Sequence, residues 1–367
     1  MIKKLLHLRD FFLATDQRVA LLLSLAALSV YTFCLCPSSY EGDSGELLAA
    51  AATLGVAHPT GFPLYLLLGK LFAVLIPFGE IAARINFVSA VAAAATVGIM
   101  YLTARAMGIA RWASFAAVLC LIFADTFWGH ATVARVYSLV AFFIAAVIWA
   151  MACWCRDRKD RQLYLAALFL GLGFGTHLSI VLCLPVVLLV VAMTDIRVFL
   201  RPVFYKAMLL AFVLGAGQYL YIPWAGATNQ AVNYGFPTTW ESFVAYITQR
   251  DYAMKMASRT VAGTLKAFFA SIRLFVLEFT PAGFLLALVG FRELARRHKT
   301  WAVALGVLVA ANLLMMINYG NEEDLFILYR YFLPSYLVMT LCLGLAFESI
   351  RRVLDRAWAA PRPARAL

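Results

Sequence analysis

Apolar runs long enough to cross a lipid bilayer recur along almost the whole chain, and this pattern limits the fold more than any other feature. A transmembrane helix needs about 20 mostly apolar residues. Hydrophobic residues make up 64% of the sequence, against roughly 45–50% apolar residues in soluble domains. We therefore predict an all-α polytopic membrane protein. The ten predicted spans lie near residues 18–36, 84–106, 112–128, 136–155, 162–177, 179–193, 206–223, 267–290, 300–318 and 331–350.

An eleventh apolar run, residues 60–79, decides the topology. It carries Lys70 and is bounded by prolines at 63 and 77. If this run lies along the membrane face, most of the 31 lysines and arginines fall in loops on one side, which the positive-inside rule assigns to the cytoplasm. We therefore predict ten spans with both termini in the cytoplasm, as in a bacterial inner-membrane protein. The outer face then receives a first loop, residues 37–83, which holds two interfacial helices, and a second large loop, residues 224–266.

Residues 1–350 are predicted to form one transmembrane domain, followed by a basic cytoplasmic tail at 351–367. The net charge of +12 does not indicate a nucleic-acid partner, because the basic residues are scattered through short loops. The seven cysteines lie in or beside apolar runs without metal-ligand spacing, so we interpret them as small hydrophobic residues.

Acidic residues are concentrated directly after the first predicted span, in "YEGDSGELLAAAATLGVAHPTGFPLY" (40–65). This stretch contains Glu41, Asp43, Glu46 and His58, although only 14% of the chain is charged. One interpretation is a capping box, in which Asp43 and Glu46 satisfy the amides of a short helix and perform no chemistry. The other is that carboxylates placed where lipid tails meet water act on a lipid-borne substrate.

The same stretch resembles a family of multipass proteins whose eukaryotic members are protein O-mannosyltransferases. The family pieces D-x-G-E, H-P-x-G-[YF]-P-L and R-x-N correspond to residues 43–46, 58–64 and 84–86. Later blocks that are similar to the family lie at 127–139, 175–185, 234–252 and 329–336. The chain departs from the family pattern at Arg135, which stands where the family has Glu before Val-Tyr.

The resemblance implies a GT-C glycosyltransferase, whose first outer loop carries an acidic residue and two helices lying on the membrane. It further implies transfer of a sugar, mannose or another hexose, from a polyprenyl-phosphate donor to a hydroxyl of a protein or glycan acceptor on the outer face. If the missing family acid contributes to the site, Asp125 or Glu41 would have to replace it.

An acceptor hydroxyl must lose a proton as it attacks the sugar, and a carboxylate can take it. We assign Asp43, as general base, and Glu46 to catalysis. Residues predicted to bind substrate, several of them cations that could face the leaving phosphate, are Glu41, His58, Arg84, His177, Arg250, Lys255 and Arg330. No cofactor or metal is assigned, because a lone D-x-x-E does not specify a metal site.

Two other classes remain open from the residues alone. A transporter or flippase of a lipid-linked or small solute would place polar residues along a path at mid-membrane, whereas the spans are mostly bare. A non-catalytic scaffold would make no special use of Asp43. The outer segment from Trp240 to Ile247 has an apolar stripe at helical spacing. This stripe predicts either a helix packed on the membrane or on the first loop, or a lid over the lipid-sugar.

Overall fold

The computed structural model describes residues 15–228, 231–250, 258–321 and 323–359. Within these ranges the regular elements are helical, apart from one isolated β-bridge between Val56 and Asn233, so the all-α prediction is confirmed. The α-helices are α1 (Asp16–Phe33), α2 (Ser44–Thr53), α3 (Pro63–Leu75), α4 (Ile81–Ala106), α5 (Arg111–Ile122), α6 (Asp125–Ala131), α7 (Tyr137–Asp157), α8 (Asp160–Phe174), α9 (Cys183–Asp195), α10 (Pro202–Gln218), α11 (Tyr221–Thr228), α12 (Trp240–Ile247), α13 (Val261–Glu278), α14 (Thr280–Arg297), α15 (Lys299–Ile317) and α16 (Leu333–Ala359). Three 3₁₀ helices span Leu178–Leu182, Ile196–Leu200 and Glu323–Phe332.

Six helical segments of the described chain are long and apolar enough to cross a membrane, and two bent helix pairs raise that number to as many as eight. The predicted spans 18–36 and 162–177 are also helical, as α1 and α8. However, α1 begins with the polar residues Asp16-Gln-Arg18, and α8 has only 15 residues. Neither helix is counted among the candidate membrane spans of the described chain. The six to eight candidate spans are therefore fewer than the ten predicted from the sequence.

The predicted span 267–290 is not one continuous helix. Its residues divide between α13 and α14, which meet at 96°. Proline disfavours the helical conformation in the residue before it and lacks the amide that would continue the helix. Thr280 precedes Pro281 and takes a positive φ of 64°, so the helix breaks there. A milder bend of 65° separates α5 from α6 within the predicted span 112–128.

Small residues let the long helices approach closely. Gly98 of α4 lies against Ser24 and the backbone of Ala20 in α1, and Gly290 of α14 lies against the backbone of Cys342 in α16. A Cβ atom would collide with the Ser24 hydroxyl at Gly98 and with the Cys342 carbonyl at Gly290, so this close approach explains both glycines. α4 has 26 residues, which at 1.5 Å per residue gives a length of about 39 Å. The bundle therefore has two well-separated ends.

The first loop forms two short helices, α2 and α3, as predicted. α3 has 13 residues, which is short of the about 20 that a span needs, and it ends at Leu75 before Pro77. The Lys70 ammonium donates to the carbonyl of Ala52 in α2 at 2.6 Å, so the two helices pack together. At the other end of the chain, α16 continues to Ala359, so the predicted tail begins as helix.

Candidate functional site

A polar cavity of ≈ 590 Å³ lies at the end of the bundle where α4 begins and α1 ends. We call this the cavity end. Five predicted site residues from three separate parts of the chain line it: Asp43, Glu46 and His58 of the first loop, His177, and Arg330. The other lining residues are Leu47, Pro59, Phe62, Arg135, Val136, Tyr137, Leu178, Ser179, Tyr234, Thr248, Gln249, Met315, Met316, Tyr319, Ile327 and Tyr331.

Asp43 stands at the N-cap position of α2, but its side chain makes no capping hydrogen bond. Its Oδ2 atom instead lies 3.1 Å from Nη1 of Arg330, a residue 287 positions away in the chain. The Asp43 side chain is 35% exposed and that of Arg330 only 9%. The capping-box interpretation is therefore wrong for Asp43, whose carboxylate faces the cavity in an ion pair.

Glu46 is likewise not a capping residue. Its carboxylate accepts the backbone amide of His58 at 2.5 Å through Oε1 and lies 2.8 Å from Nδ1 of the same histidine through Oε2. The two contacts fix the imidazole, and the ring of Phe62 packs edge-on against it with centroids 4.9 Å apart. Asp43 thus holds Arg330, and Glu46 holds His58, in the wall of the cavity.

His177 follows α8 and is held as a neutral hydrogen-bond donor. Its Nδ1 accepts the backbone amide of Ser179 at 3.1 Å, so the neutral ring carries its proton on Nε2. Burial, and secondarily the nearby His58, lowers the pKa of His177 to about 4. Phe62 stacks on the ring with centroids 6.2 Å apart. The site therefore gains a donor without a positive charge.

Two arginines bring positive charge to the cavity. The guanidinium of Arg330 lies over the rings of Tyr137 and Tyr329, at 5.9 and 5.8 Å from their centroids. Arg135 is 4% exposed and donates to Tyr329 Oη at 3.2 Å and to the carbonyl of Glu41 at 3.1 Å. Arg135 is the functional candidate that sequence reasoning missed. Its position, an arginine directly before an apolar span, was the available signal.

Three predicted substrate-binding residues do not line the cavity. Glu41 is exposed, and it is its backbone carbonyl that Arg135 binds. The guanidinium of Arg84 donates to the carbonyls of Ala73, Phe78 and Gly79, so it anchors the end of α3. Arg250 is exposed to solvent and lies outside the cavity wall, although its neighbour Gln249 lines the cavity.

Lys255 lies outside the described residues. Asp125 and Glu41 were the candidates to replace the family glutamate at position 135. Neither lines the cavity: Asp125 is exposed at the start of α6, and Glu41 is exposed in the first loop.

The segment from 231 to 249 closes one side of the cavity by docking on the first loop. The amide of Val56 donates to the carbonyl of Val232 at 2.8 Å, and the amide of Tyr234 donates to the carbonyl of Val56 at 3.0 Å. The Tyr246 hydroxyl donates to the carbonyl of Ala57. This confirms packing on the first loop. The segment also supplies Tyr234, Thr248 and Gln249 to the wall.

Within the described part of the chain, no three or more His, Cys, Asp or Glu side chains come together in a group that could hold a metal ion. The charged and aromatic polar groups of the lining are carboxylates, arginines, imidazoles and tyrosines, which suit an anionic, hydroxyl-rich ligand.

The helical bundle with its two short helices after the first span has the GT-C fold. The chain is similar over 93% of its length to the crystal structure of ArnT from Cupriavidus metallidurans bound to undecaprenyl phosphate, with a TM-score of 0.67, 14% identity and 63% of that chain covered. It is also similar to the oligosaccharyltransferase of Archaeoglobus fulgidus in complex with Zn and sulfate, with a TM-score of 0.57 and 13% identity, over 91% of this chain and 50% of that one.

Residues 43–199 match the family described as Protein O-mannosyl-transferase TMEM260 N-terminal domain. The chain is 22% identical over 91% of its length to Protein O-mannosyl-transferase tmem260 of Dictyostelium discoideum, and 28% identical over 67% of its length to Protein O-mannosyl-transferase TMEM260 of Mus musculus. These alignments cover 45% and 36% of the two relatives, so the chain spans about half of their length or less. The family resemblance indicated by the motifs is confirmed.

Proposed function

We propose that this chain is a membrane glycosyltransferase that moves mannose or another hexose from a polyprenyl-phosphate donor to a hydroxyl of a protein or glycan acceptor. The observation that carries the proposal is the cavity, which joins Asp43, Glu46 and His58 of the first loop to His177 and Arg330 from distant segments. The family match and the names of the curated relatives support the reaction class.

Asp43 is the general base of the proposed reaction. The acceptor oxygen attacks the anomeric carbon, the bond from that carbon to the phosphate oxygen breaks, and the phosphate leaves with the electron pair. The hydroxyl proton moves to Asp43. Arg330 engages Oδ2 of the carboxylate, and we assign the proton transfer to Oδ1. Positioned general bases contribute typically ~10²–10⁴-fold to the rate.

The leaving phosphate gains negative charge as the glycosidic bond breaks, and preorganised donors stabilise that charge in the transition state. Arg330 is fixed for this role because two tyrosine rings hold its guanidinium. The Nε2 proton of His177 offers a further, uncharged hydrogen bond to the sugar or the phosphate. Glu46 acts by holding His58 against the cavity.

A second space in the bundle fits the lipid part of the donor. An apolar groove of ≈ 470 Å³ runs between α7, α8, α9 and α10, with Phe174 and Tyr219 among its lining residues. Phe174 ends α8, and His177, three residues later, lines the polar cavity. Because Phe174 of the groove and His177 of the cavity are three residues apart, we assign the prenyl chain of the donor to the groove and its sugar-phosphate to the cavity.

The distribution of charge supports an outward-facing cavity. At the end of the bundle opposite the cavity lie Arg105, Arg111, Arg297 and Arg352. Positive residues mark the cytoplasmic side, so we propose that the cavity faces the outer or periplasmic side of a bacterial inner membrane and that both termini are cytoplasmic.

The variant Asp43→Asn tests this function. Membranes containing the chain are incubated with polyprenyl-phosphate carrying radiolabelled mannose, and the label transferred to the protein and glycan fractions is counted. We expect a loss of at least about 100-fold, because Asn cannot accept the proton. The thermal midpoint should change little, because Asp43 caps no helix and the amide oxygen of Asn can still accept the hydrogen bond of Arg330.

Asp125→Asn is the matched control, since Asp125 is exposed and lies outside the cavity wall. It should transfer sugar at the wild-type rate. Transfer by Asp43→Asn at the wild-type rate would exclude Asp43 as the base. A wild-type chain that moves the labelled lipid across vesicles but forms no sugar conjugate would instead favour a flippase.

A further inference from the structure

Two histidine rings in the cavity wall each keep one nitrogen for a ligand. His58 and His177 both line the cavity and both pack against Phe62, with ring centroids 4.9 and 6.2 Å from the centroid of that ring. The Nδ1 atom of each imidazole is bound to the protein, whereas no described residue forms a hydrogen bond with either Nε2 atom. The two Nε2 atoms are therefore the ring nitrogens that a ligand can reach.

The protein partners of Nδ1 place the protons of the two rings on opposite atoms. The Glu46 carboxylate accepts, so Nδ1 of His58 donates to Oε2 at 2.8 Å, and Nε2 of the neutral ring is an acceptor. The backbone amide of Ser179 can only donate, so Nδ1 of His177 accepts it at 3.1 Å, and Nε2 carries the proton. The Ser179 hydroxyl also lies against this Nδ1 atom and can donate to it. The pair thus offers one acceptor and one donor, both uncharged.

Both rings are held in place before a ligand arrives. Glu46 binds the backbone amide of His58 as well as its ring, and the ring of His177 lies between Phe62 and Tyr137, whose centroid is 5.4 Å away. Groups that are already ordered lose little conformational freedom when a ligand binds, so their hydrogen bonds contribute more fully to affinity and specificity.

We propose that His58 and His177 bind hydroxyl groups of the transferred sugar, His58 as acceptor and His177 as donor, and that the pair selects a neutral sugar. This inference rests on the proposed function and assigns the sugar to particular groups of that site. Hydroxyl groups both donate and accept, so two hydroxyls of one sugar ring satisfy both nitrogens.

Charged sugars fit the pair less well. An ammonium group has no acceptor for the Nε2 proton of His177, and a carboxylate has no proton for Nε2 of His58. In either case a polar group of the site loses its partner, which is costly in a site closed to water. The same reasoning predicts that removing a single hydroxyl from the sugar weakens binding.

Asparagine variants of the two histidines remove Nε2 and keep the contact made by Nδ1. The amide of asparagine ends near the position of Nδ1, so in His58→Asn its nitrogen can still donate to Glu46. In His177→Asn its oxygen can still accept the amide of Ser179, as an N-cap asparagine does. Glutamine reaches about as far as Nε2 and offers a donor and an acceptor, so His58→Gln and His177→Gln restore a contact with the ligand.

Binding of donor analogues to the purified full chain in lipid nanodiscs, without acceptor, tests the assignment. The probes are polyprenyl-phosphate mannose, its analogues that each lack one hydroxyl, and polyprenyl phosphate without sugar. The measurements are made at about pH 8, where an ordinary imidazole is neutral. We expect the analogue that lacks the hydroxyl bound by His58, and the one that lacks the hydroxyl bound by His177, to bind the wild-type chain about 2- to 10-fold more weakly than the mannosyl lipid.

Each asparagine variant should abolish one of these two losses, because the deoxy analogue then lacks nothing that the variant could bind. Both variants should bind the sugar-free lipid like the wild type, and the glutamine variants should recover part of the affinity for the mannosyl lipid. His298→Asn is the control, because His298 precedes α15 at the end of the bundle opposite the cavity. This variant should keep both losses.

Equal affinity of the wild-type chain for the mannosyl lipid and every deoxy analogue would overturn the proposal, as would losses that persist in both asparagine variants. Weaker binding of the sugar-free lipid in the same proportion would also overturn it, because it would show a role in shaping the cavity. If an asparagine variant is not recovered in a folded state, the phenylalanine variant, which keeps a ring against Phe62, replaces it with the same expectation.

The outcome is separable from that of the proposed function. If the chain transfers labelled mannose while the losses are independent of the two histidines, the proposed function stands and this inference fails. If Asp43→Asn transfers sugar at the wild-type rate while the losses follow the histidines, the base is misassigned and the sugar contacts stand.

Discussion

The two ends of the helical bundle use the same charged residue types in different ways. At the end opposite the cavity, Asp16 of α1 accepts from Arg105 at 3.0 Å and from Arg111 at 2.9 Å. Glu293 lies 2.6 Å from both Arg297 and Arg352, and Arg297 also binds Glu348 at 2.5 Å. Asp16, Glu293 and Glu348 each contact at least two donors, since Asp16 also accepts the Tyr101 hydroxyl and Glu348 also accepts the amide of Ala110.

At the cavity end the charges are only partly paired. Arg330 has one carboxylate partner, Asp43, while Arg135 contacts neutral oxygens. Buried polar groups that are fully satisfied make a structure rigid, whereas groups left short of partners require an explanation. The difference supports the proposal that the cavity end binds a ligand, whereas the paired charges of the opposite end hold helices together. Removing a charge should therefore reduce activity at one end and stability at the other.

The largest effect should follow from Arg330→Gln at the cavity end. This change removes both the partner of Asp43 and a donor to the leaving phosphate, so sugar transfer should fall about 10²–10³-fold. Thermal stability should change little, because the released Asp43 side chain is 35% exposed and can be hydrated. Transfer of labelled mannose and the thermal midpoint are measured on the same preparation. A large loss of stability with normal transfer would reverse the comparison between the ends.

A smaller and opposite effect is expected for Arg297→Met at the other end. Glu293 and Glu348 are each 13% exposed and would lose a charged partner, which costs about 1–3 kcal/mol of unfolding free energy. Thermal denaturation in detergent should show the lower midpoint, while transfer per folded molecule should stay at the wild-type level. The double variant Arg297→Met with Glu348→Gln should be less destabilised than the sum of the single variants. Additive losses would show that the two side chains act independently.

The sequence predicted local features of the site better than distant ones. Asp43, Glu46 and His58 lie within 16 consecutive residues, so their proximity followed from the motif. Arg330 was one of several outward cations, and nothing in its local sequence distinguished it from Arg84, which binds backbone carbonyls at the end of α3. Only the packing of segments 287 positions apart joins Arg330 to Asp43.

Fold predictions succeeded and failed for the same physical reason. Apolar length predicts that a segment is helical and membrane-sized, and every predicted span is mostly helical in the described chain. It does not predict direction, so the break at Pro281, which turns the predicted span 267–290 through 96°, was not foreseen. The sequence marked Arg135 only as a departure from the family pattern. Its burial depends on contacts with Glu41 of the first loop and with Tyr329, which are distant in sequence.

The smallest effect expected at the cavity end is a pH-dependent loss of stability at His177. Its folded pKa of about 4 lies below the usual value of 6.5, so the unfolded chain binds a proton between these values and the folded chain does not. Stability from this residue is therefore fully present above about pH 6.5 and decreases as the pH falls towards 4. At pH 5.5 we expect a loss of about 1 kcal/mol relative to pH 7.5. His177→Gln should remove this part of the pH dependence of the thermal midpoint, and an unchanged pH profile in that variant would show that His177 is not held neutral.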